Sequence, residues 1–245
     1  MRDAVQGGER LQKTLARLGF GSRRVCDNLI AEGHVTVNGD VADLGRRVDV
    51  DNDTIEVDGI PVGIRPGLVY YLLHKPAGVV TTAADTHGRS TVLELVPAEP
   101  RVFPVGRLDM ETEGLLLLTN DGELTQRLTH PSFGVEKEYL AHVEGAPHAG
   151  AVGKLRKGVA LDDGITAPAK VAVLDDSLLR ITIHEGRNRQ IRRMCEAVGF
   201  PVVRLVRTRI GPLRDTALKA GDWRALSVDE VRDLSKSAGS PQPVP

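Results

Sequence analysis

Apolar positions change their period along this chain, and each change marks an element. Leu11, Leu15 and Leu18 recur at helical spacing, Gly19 and Gly21 interrupt them, and Ser22 stands where it would cap a second helix carrying Val25, Leu29 and Ile30. Gly33 ends that helix. HVTVNG then alternates apolar with polar residues, and Asn38-Gly39 is the pair preferred in tight hairpin turns. A small first domain is predicted over residues 9–58. From Asp58 onward DGIPVGIRPG holds two prolines and three glycines, which predicts a connector at 59–68 that tethers the small domain semi-independently.

The large domain is predicted over residues 69–234. VYYLLHKPAGVV reads as a buried strand, and STVLELVP as a short helix. VFPVG and LLLLTN are apolar runs of the length expected for buried strands. Asp121-Gly122 is read as a turn or cap ahead of the helix ELTQRLTH, which Pro131 terminates. In KEYLAHV the residues Lys137, Tyr139, Ala141 and Val143 share one face of a strand. RITIHEGRNRQIRRMCEAVG combines a strand, a Gly-Arg-Asn turn and a helix whose apolar face is Ile191, Met194, Cys195 and Val198. At helical spacing Arg192 lies on the edge of that face, while Arg189 and Arg193 point away. The last segment, SKSAGSPQPVP at 235–245, has too few apolar residues to pack and is expected to be a disordered tail.

Composition narrows the classes. The 245 residues carry a formal net charge of only -1, so the global charge gives no sign of a polyanionic partner. The local distribution does, because seven arginines lie between Glu185 and Arg209 against two glutamates. A second basic cluster holds Arg10, Lys13, Arg17, Arg23 and Arg24. A single cluster of this kind is ordinarily a solvated helix face, but two are harder to assign that way. The two cysteines, Cys26 and Cys195, give neither a disulfide framework nor a metal-ligand pair, and the seven histidines are scattered singly. No dinucleotide fingerprint or phosphate loop occurs, so neither a cofactor nor a metal is expected. With no apolar stretch long enough to cross a bilayer and no signal segment in MRDAVQGGER, a cytoplasmic protein is expected. Nothing calls for an obligate oligomer, and a monomer is expected.

The richest stretch chemically is GRLDMETEGLLLLTNDG, residues 106–122. It delivers Asp109 from an irregular turn to the rim of a core, where catalytic groups are commonly presented and where aspartate also commonly caps a turn. The segment resembles the RsuA-like family of ribosomal RNA pseudouridine synthases, whose motif is matched at Gly106, Arg107, Leu108, Asp109, Thr112, Gly114, Leu115 to Leu118, Thr119, Asn120, Asp121 and Gly122. Lys75-Pro76-Ala77-Gly78 resembles the first motif of that family, Lys137 and Tyr139 its K-x-Y motif, and G-R-N-R-Q-I-R-R its third, all in family order. The resemblance implies that Asp109 is the catalytic group, as nucleophile or as base, and that Tyr139 stacks on the target base. It implies further that Ile191 packs near the base and that Arg192 pairs with Asp109; Arg107, beside Asp109 in the motif, is added as active-site support. Arg187, Arg189 and Arg193 are assigned to RNA phosphates, where arginine offers bidentate hydrogen bonding.

Residues 9–58 could be a helix-turn-helix reader of DNA. They more closely resemble the small RNA-binding domain named after the fourth small-subunit ribosomal protein (S4), whose basic face would be Arg10, Lys13, Arg17, Ser22, Arg23 and Arg24. Phe20 stands where many members have a small residue, a departure expected to alter a local contact at most. The fold implied is α+β: a mixed, mainly antiparallel sheet with flanking helices, preceded by the small α/β RNA-binding domain. The function implied is isomerisation of a uridine in ribosomal RNA to pseudouridine, without cofactor. Large-subunit RNA is the expected partner, with a small-subunit site, or a non-catalytic ribosome-assembly factor, as alternatives.

Overall fold

A computed structural model describes residues 8–50, 53–62 and 67–238. The chain divides between Leu68 and Val69 into two compact units. In the first, β1 (Glu9–Arg10) leads into α1 (Leu11–Arg17) and α2 (Arg23–Ala31), followed by β2 (Val35–Val37), β3 (Asp40–Val41), β4 (Arg47–Val48), β5 (Ile55–Val57) and β6 (Ile60–Pro61). Ser22 caps α2 by accepting a hydrogen bond from the Val25 amide. The apolar face of α2 is rotated from the expected one: Cys26 and Ile30 are buried, whereas Val25 is 47% exposed. Asn38 and Gly39 both take positive φ, 57° and 87°, the geometry of a type I′ turn joining β2 to β3. Leu11, Leu15, Cys26, Ile30, Val35 and Ile55 fill the core of this unit.

The connector expected from residue 59 begins later, because β6 pairs with β5 and Val62 is buried in the same core. Residues 63–66 of that connector lie outside the described residues.

The second unit is built on nine strands. These are β7 (Tyr70–Lys75), β8 (Phe103–Pro104), β9 (Thr112–Thr119), β10 (Lys137–Val143), β13 (Lys170–Asp175), β14 (Leu178–Ile183), β15 (Val202–Ile210), β16 (Leu213–Arg214) and β17 (Trp223–Ala225). The main path runs β13-β14-β10-β15-β9-β7-β17, antiparallel throughout except for the parallel pair β15 and β9. This is the mixed, mainly antiparallel sheet that the sequence implies. β9 explains its own composition: Leu115 to Leu118 are all at most 2% exposed, so both faces of the strand are covered. One edge of β9 is shared, with β15 pairing along Thr112 to Gly114 and β8 pairing at Leu118 and Thr119.

Four α-helices, α3 (Gly122–Thr129), α4 (Ala149–Lys157), α5 (Gln190–Ala197) and α6 (Val228–Ser237), two short 3-10 helices at Val92–Leu95, where STVLELVP predicts a helix, and at Pro131–Phe133, and a hairpin of β11 (Ala160–Leu161) and β12 (Gly164–Ile165) complete the unit. Asp121 caps α3 through Oδ1, which accepts from the Leu124 amide, and its Oδ2 accepts from the Tyr70 hydroxyl at 2.7 Å. The tail expected from Ser235 does not begin there. α6 continues to Ser237, Ala238 is fully buried, and Arg127 on α3 donates to the carbonyls of Ser235 and Ala238 at 2.6 and 2.8 Å. Three cationic hydrogen bonds from Arg127 to these terminal carbonyls, with the buried Leu234, hold the end of α6. Residues 239–245 lie outside the described residues.

Candidate active site

Asp109 lies in the loop between β8 and β9, and that loop is fastened on both sides of it. The Thr81 hydroxyl donates to the Leu108 carbonyl at 2.8 Å and accepts from the Leu108 amide, while the Leu108 side chain is 5% exposed. Thr112 donates its amide to the Asp109 carbonyl at 3.0 Å, and Gly78 donates its amide to the Met110 carbonyl at 2.8 Å. The fully buried Lys75 ammonium donates to the carbonyls of Pro76, Val79 and Met110 at 2.8, 2.7 and 3.2 Å. Burial pushes that ammonium down to about 8, against the pull of the Asp109, Glu111 and Glu113 charges. The backbone is thus fixed while the Asp109 carboxylate, among the described residues, accepts no hydrogen bond and forms no ion pair within 4.0 Å.

The carboxylate opens on a cleft of about 430 Å³, lined also by Lys137, Tyr139, Ile191, Leu205 and Arg207. β10 supplies Lys137 and Tyr139 two residues apart on one face, and β15 places Arg207 directly across from Tyr139. α5 supplies Ile191, which is 3% exposed. A second, more polar cleft of about 460 Å³, bordered by Thr82, His87 and Arg89, shares Arg107, Leu108, Asp109 and Arg189 with the first. Arg107 is exposed beside Asp109, and no carboxylate lies within 4.0 Å of it among the described residues.

The arginines sort differently from the sequence expectation. Arg192 does not pair with Asp109: its guanidinium donates to the carbonyls of Glu111 and Val202 at 3.3 and 3.2 Å, and to Thr112 Oγ1 at 3.5 Å. The register of α5 aims it at the backbone after Asp109, where it braces the loop without neutralising the carboxylate. Arg187 and Arg193, expected at phosphates, are taken by the chain itself. Arg193 binds Asp162, Asp163 at 2.8 Å and the Asn188 carbonyl, and Arg187 donates to Asp163, Glu185 and the carbonyls of Gly164 and Ile165. The Arg193 guanidinium, with that of Arg187, holds the Asp163 carboxyl at about 2. Together they fasten the β11–β12 hairpin to the turn before α5. Arg189 takes a positive φ of 47° at the start of α5 and pairs with Glu111 at 3.1 Å, yet it borders both clefts and stays 46% exposed. In the first unit Glu9 draws Lys13 and Arg17 to 3.0 Å each, which leaves Arg10, Arg23 and Arg24 exposed and without a carboxylate partner among the described residues.

Sequence reasoning did not single out Lys75, Thr81, Lys137 or Arg207 as site residues. Lys75 and Lys137 stand in motifs that pointed nearby, whereas nothing in the local sequence of Arg207 separates it from the other arginines of its strand, Arg204 and Arg209. Both cysteines are buried and free, and burial pushes the Cys195 thiol up to about 12, which excludes it as a nucleophile near neutral pH. The described residues hold no group of three or more His, Cys, Asp or Glu side chains able to bind a metal ion. No described helix is long and apolar enough to cross a membrane.

Comparison with known proteins identifies both units. The RNA pseudouridylate synthase family matches residues 69–197, and the S4 domain matches residues 9–55. An uncharacterized RNA pseudouridine synthase of Mycobacterium leprae is 48% identical over 97% of this chain and 96% of its own. The ribosomal large subunit pseudouridine synthase B of Bacillus subtilis is 46% identical over 92% of this chain and 95% of its own. A crystal structure of a pseudouridylate synthase superposes with a TM-score of 0.66 at 31% identity, covering 92% of this chain and 99% of the other. The family model over more than half of the chain and relatives matched along nearly their whole length give one conclusion: the chain belongs to the RNA pseudouridine synthase family, enzymes that isomerise uridine in RNA to pseudouridine.

Proposed function

We propose that this chain isomerises a uridine of large-subunit ribosomal RNA to pseudouridine, with Asp109 as the group that acts on the ribose. The observation that carries this reading is a carboxylate open to a cleft of about 430 Å³ and held by no partner of its own, on a backbone fastened at Leu108, Asp109 and Met110. The similarity to the Bacillus subtilis protein, over nearly the whole of both chains, supports a large-subunit substrate over a small-subunit site. An RNA substrate of this kind belongs to the cytoplasm, and the catalytic side chains named here all come from one chain, in keeping with a monomer.

In this reading the target nucleotide leaves its stack and its base enters the cleft against Tyr139. Unstacking costs a few kcal/mol, and one aromatic platform returns roughly 1 to 3 kcal/mol. Ile191 closes the apolar side of the base. Ionised Asp109 then adds to the ribose or removes a ribose proton, the C1′–N1 bond breaks, the ring turns, and C5 bonds to C1′. No electron or group is transferred in net terms. Arg192 is a positioning residue that keeps the Asp109 loop in place through the Glu111 carbonyl. Arg107, exposed between the two clefts, is available to the RNA beside the extruded nucleotide. Arg10, Arg23 and Arg24 supply the free positive charge of the S4 unit to phosphates.

The test is incubation with unmodified large- and small-subunit ribosomal RNA transcripts, without cofactor, with pseudouridine mapped by carbodiimide labelling and primer extension. One stop in large-subunit RNA that disappears in Asp109→Asn, with RNA affinity nearly unchanged, is the expected result. Comparable activity in the Asp109→Asn enzyme would remove the assignment.

A further inference from the structure

Two cations in the base cleft have no anion. Among the described residues no carboxylate lies within 4.0 Å of Lys137 or Arg207, although neighbours on the same strands are paired, Arg204 with Glu113 and Arg209 with Glu136. Arg207 is 4% exposed; its Nε donates to the Leu115 carbonyl at 2.7 Å, but its Nη2 is buried with no hydrogen-bond partner. Lys137, from the adjacent strand, lines the same cleft, and its ammonium has no hydrogen-bond partner among the described residues. Of the carboxylates lining that cleft, Glu185 already accepts from Gln190, Arg187 and the Ala167 amide, and Asp109 is not within ion-pair reach of either cation. Holding the unneutralised Arg207 guanidinium out of water, with a second cation only partly exposed on the adjacent strand, is costly unless an anion is to be bound there.

We propose that Lys137 and Arg207 form an anion-binding wall of the base pocket, donating N–H hydrogen bonds to the uracil ring while it is detached from the ribose. This rests on the reading of Asp109 and Tyr139 given above. When the C1′–N1 bond breaks, its electron pair leaves with the base, and the negative charge spreads over N1 and the two carbonyl oxygens. The ribose is satisfied by the Asp109 carboxylate, as a bond to carbon or by loss of a ribose proton to it. After the ring turns, an electron pair of the ring forms the C5–C1′ bond as the Asp109–C1′ bond breaks or as Asp109 returns the abstracted proton to the ribose; C5 then loses its proton and N1 gains one, so the whole remains an isomerisation. Lys137 and Arg207 keep their protons throughout. Donors fixed where charge develops, in a cleft with little water, stabilise the detached anion without reorganising. They also hold a free ring that would otherwise diffuse away. Burial and the nearby Arg207 charge push the Lys137 ammonium down to about 8, and a bound anion reverses that push.

The probe is 5-nitrouracil, an anion at neutral pH, compared with neutral uracil in NMR titrations of the full chain. The wild type is expected to bind the anion at least about tenfold more tightly than uracil, Lys137→Met to bind the two alike, and Lys137→Arg to keep the preference. On substrate RNA, Lys137→Met is expected to lower the single-turnover rate by about 10²-fold with RNA affinity within about twofold. The wild-type rate should fall as pH rises above about 8, and Lys137→Arg should fall less steeply, its remaining loss being that of the Lys75 ammonium. Equal binding of the two bases by the wild type overturns the wall, as does a Lys137→Met enzyme with the wild-type rate. If Asp109→Asn is inactive in the same assay, that loss belongs to the wall alone; if Asp109→Asn is active, the underlying reading has failed instead.

Discussion

Gly114 on β9 lies against the backbone of Arg207 on β15 so closely that a β-carbon on the glycine would stand 2.2 Å from the Arg207 carbonyl oxygen and 2.5 Å from its amide nitrogen. Gly114 also holds φ at +109°, a region that side chains disfavour. The one parallel pairing of the sheet, which brings Arg207 to the cleft beside the Asp109 loop, depends on this missing side chain. Because backbone rather than a flexible side chain would have to move, Gly114→Ala is expected to lower stability by more than about 3 kcal/mol. Urea denaturation checks this, and a midpoint like that of the wild type would show that the strands separate easily.

Lys75 is the clasp under the Asp109 loop. Replacing it by Met leaves the Pro76 and Val79 carbonyls without their cation, and Met110 with only the Gly78 amide. Lys75→Met is expected to loosen the loop and lower the single-turnover rate by about 10-fold or more at little cost in RNA affinity. Faster amide exchange at Asp109 to Thr112 would accompany it; unchanged exchange would assign the fixing of the loop to Thr81 and Arg192 alone.

The two low-lying lysines also give a pH signature. Lys75 and Lys137 are both held at about 8 when folded, against an ordinary value of 10.5. Between those values the unfolded chain binds more protons than the folded one, so unfolding free energy gains from both groups as pH rises from about 8 to 10.5, and their full cost is felt below about 8. Lys137→Met is expected to be more stable than the wild type by about 1–3 kcal/mol at neutral pH and to show a smaller rise across the window. Urea titrations at both ends of the window measure it, and a destabilised Lys137→Met would mean that the ammonium has a partner in solution.

Charges that are already neutralised release few counterions on binding RNA. The double substitution Arg23→Ala, Arg24→Ala is expected to reduce the slope of log affinity against log salt by roughly one for each phosphate no longer bound. Arg193→Ala should leave that slope almost unchanged while freeing Asp162, leaving Asp163 to Arg187 alone and loosening the β11–β12 hairpin. Fluorescence anisotropy across a salt series separates the two, and a marked drop of the slope in Arg193→Ala would return that arginine to the phosphates.

Tyr139 is 9% exposed in the cleft. Tyr139→Leu keeps the strand but removes the stacking platform, and the single-turnover rate is expected to fall by about 10- to 10²-fold, equivalent to roughly 1–3 kcal/mol. A rate within about twofold of the wild type would mean that Ile191 and the cationic wall hold the base without it.

Sequence alone determined the elements whose causes are local. The period of Leu11 and Leu15, the Ser22 and Asp121 caps, the Asn38-Gly39 turn and the unbroken leucines of β9 each follow from side-chain geometry within a few residues, and the motif order around Asp109 carried the family. Tertiary structure decided what charge does. Arg187, Arg193, Arg204 and Arg209 read alike with Arg207 in the sequence, yet the first four meet carboxylates from segments distant along the chain, and of the five Arg207 alone is left buried without one. An ion pair forms wherever folding brings opposite charges within a few ångströms, and that distance depends on strand register and helix position, which no local pattern encodes. For the same reason Arg192 braces the backbone after Asp109 and does not pair with its carboxylate, and Lys75 and Lys137, ordinary lysines in the sequence, become the clasp of one loop and an unpaired cation in the base cleft.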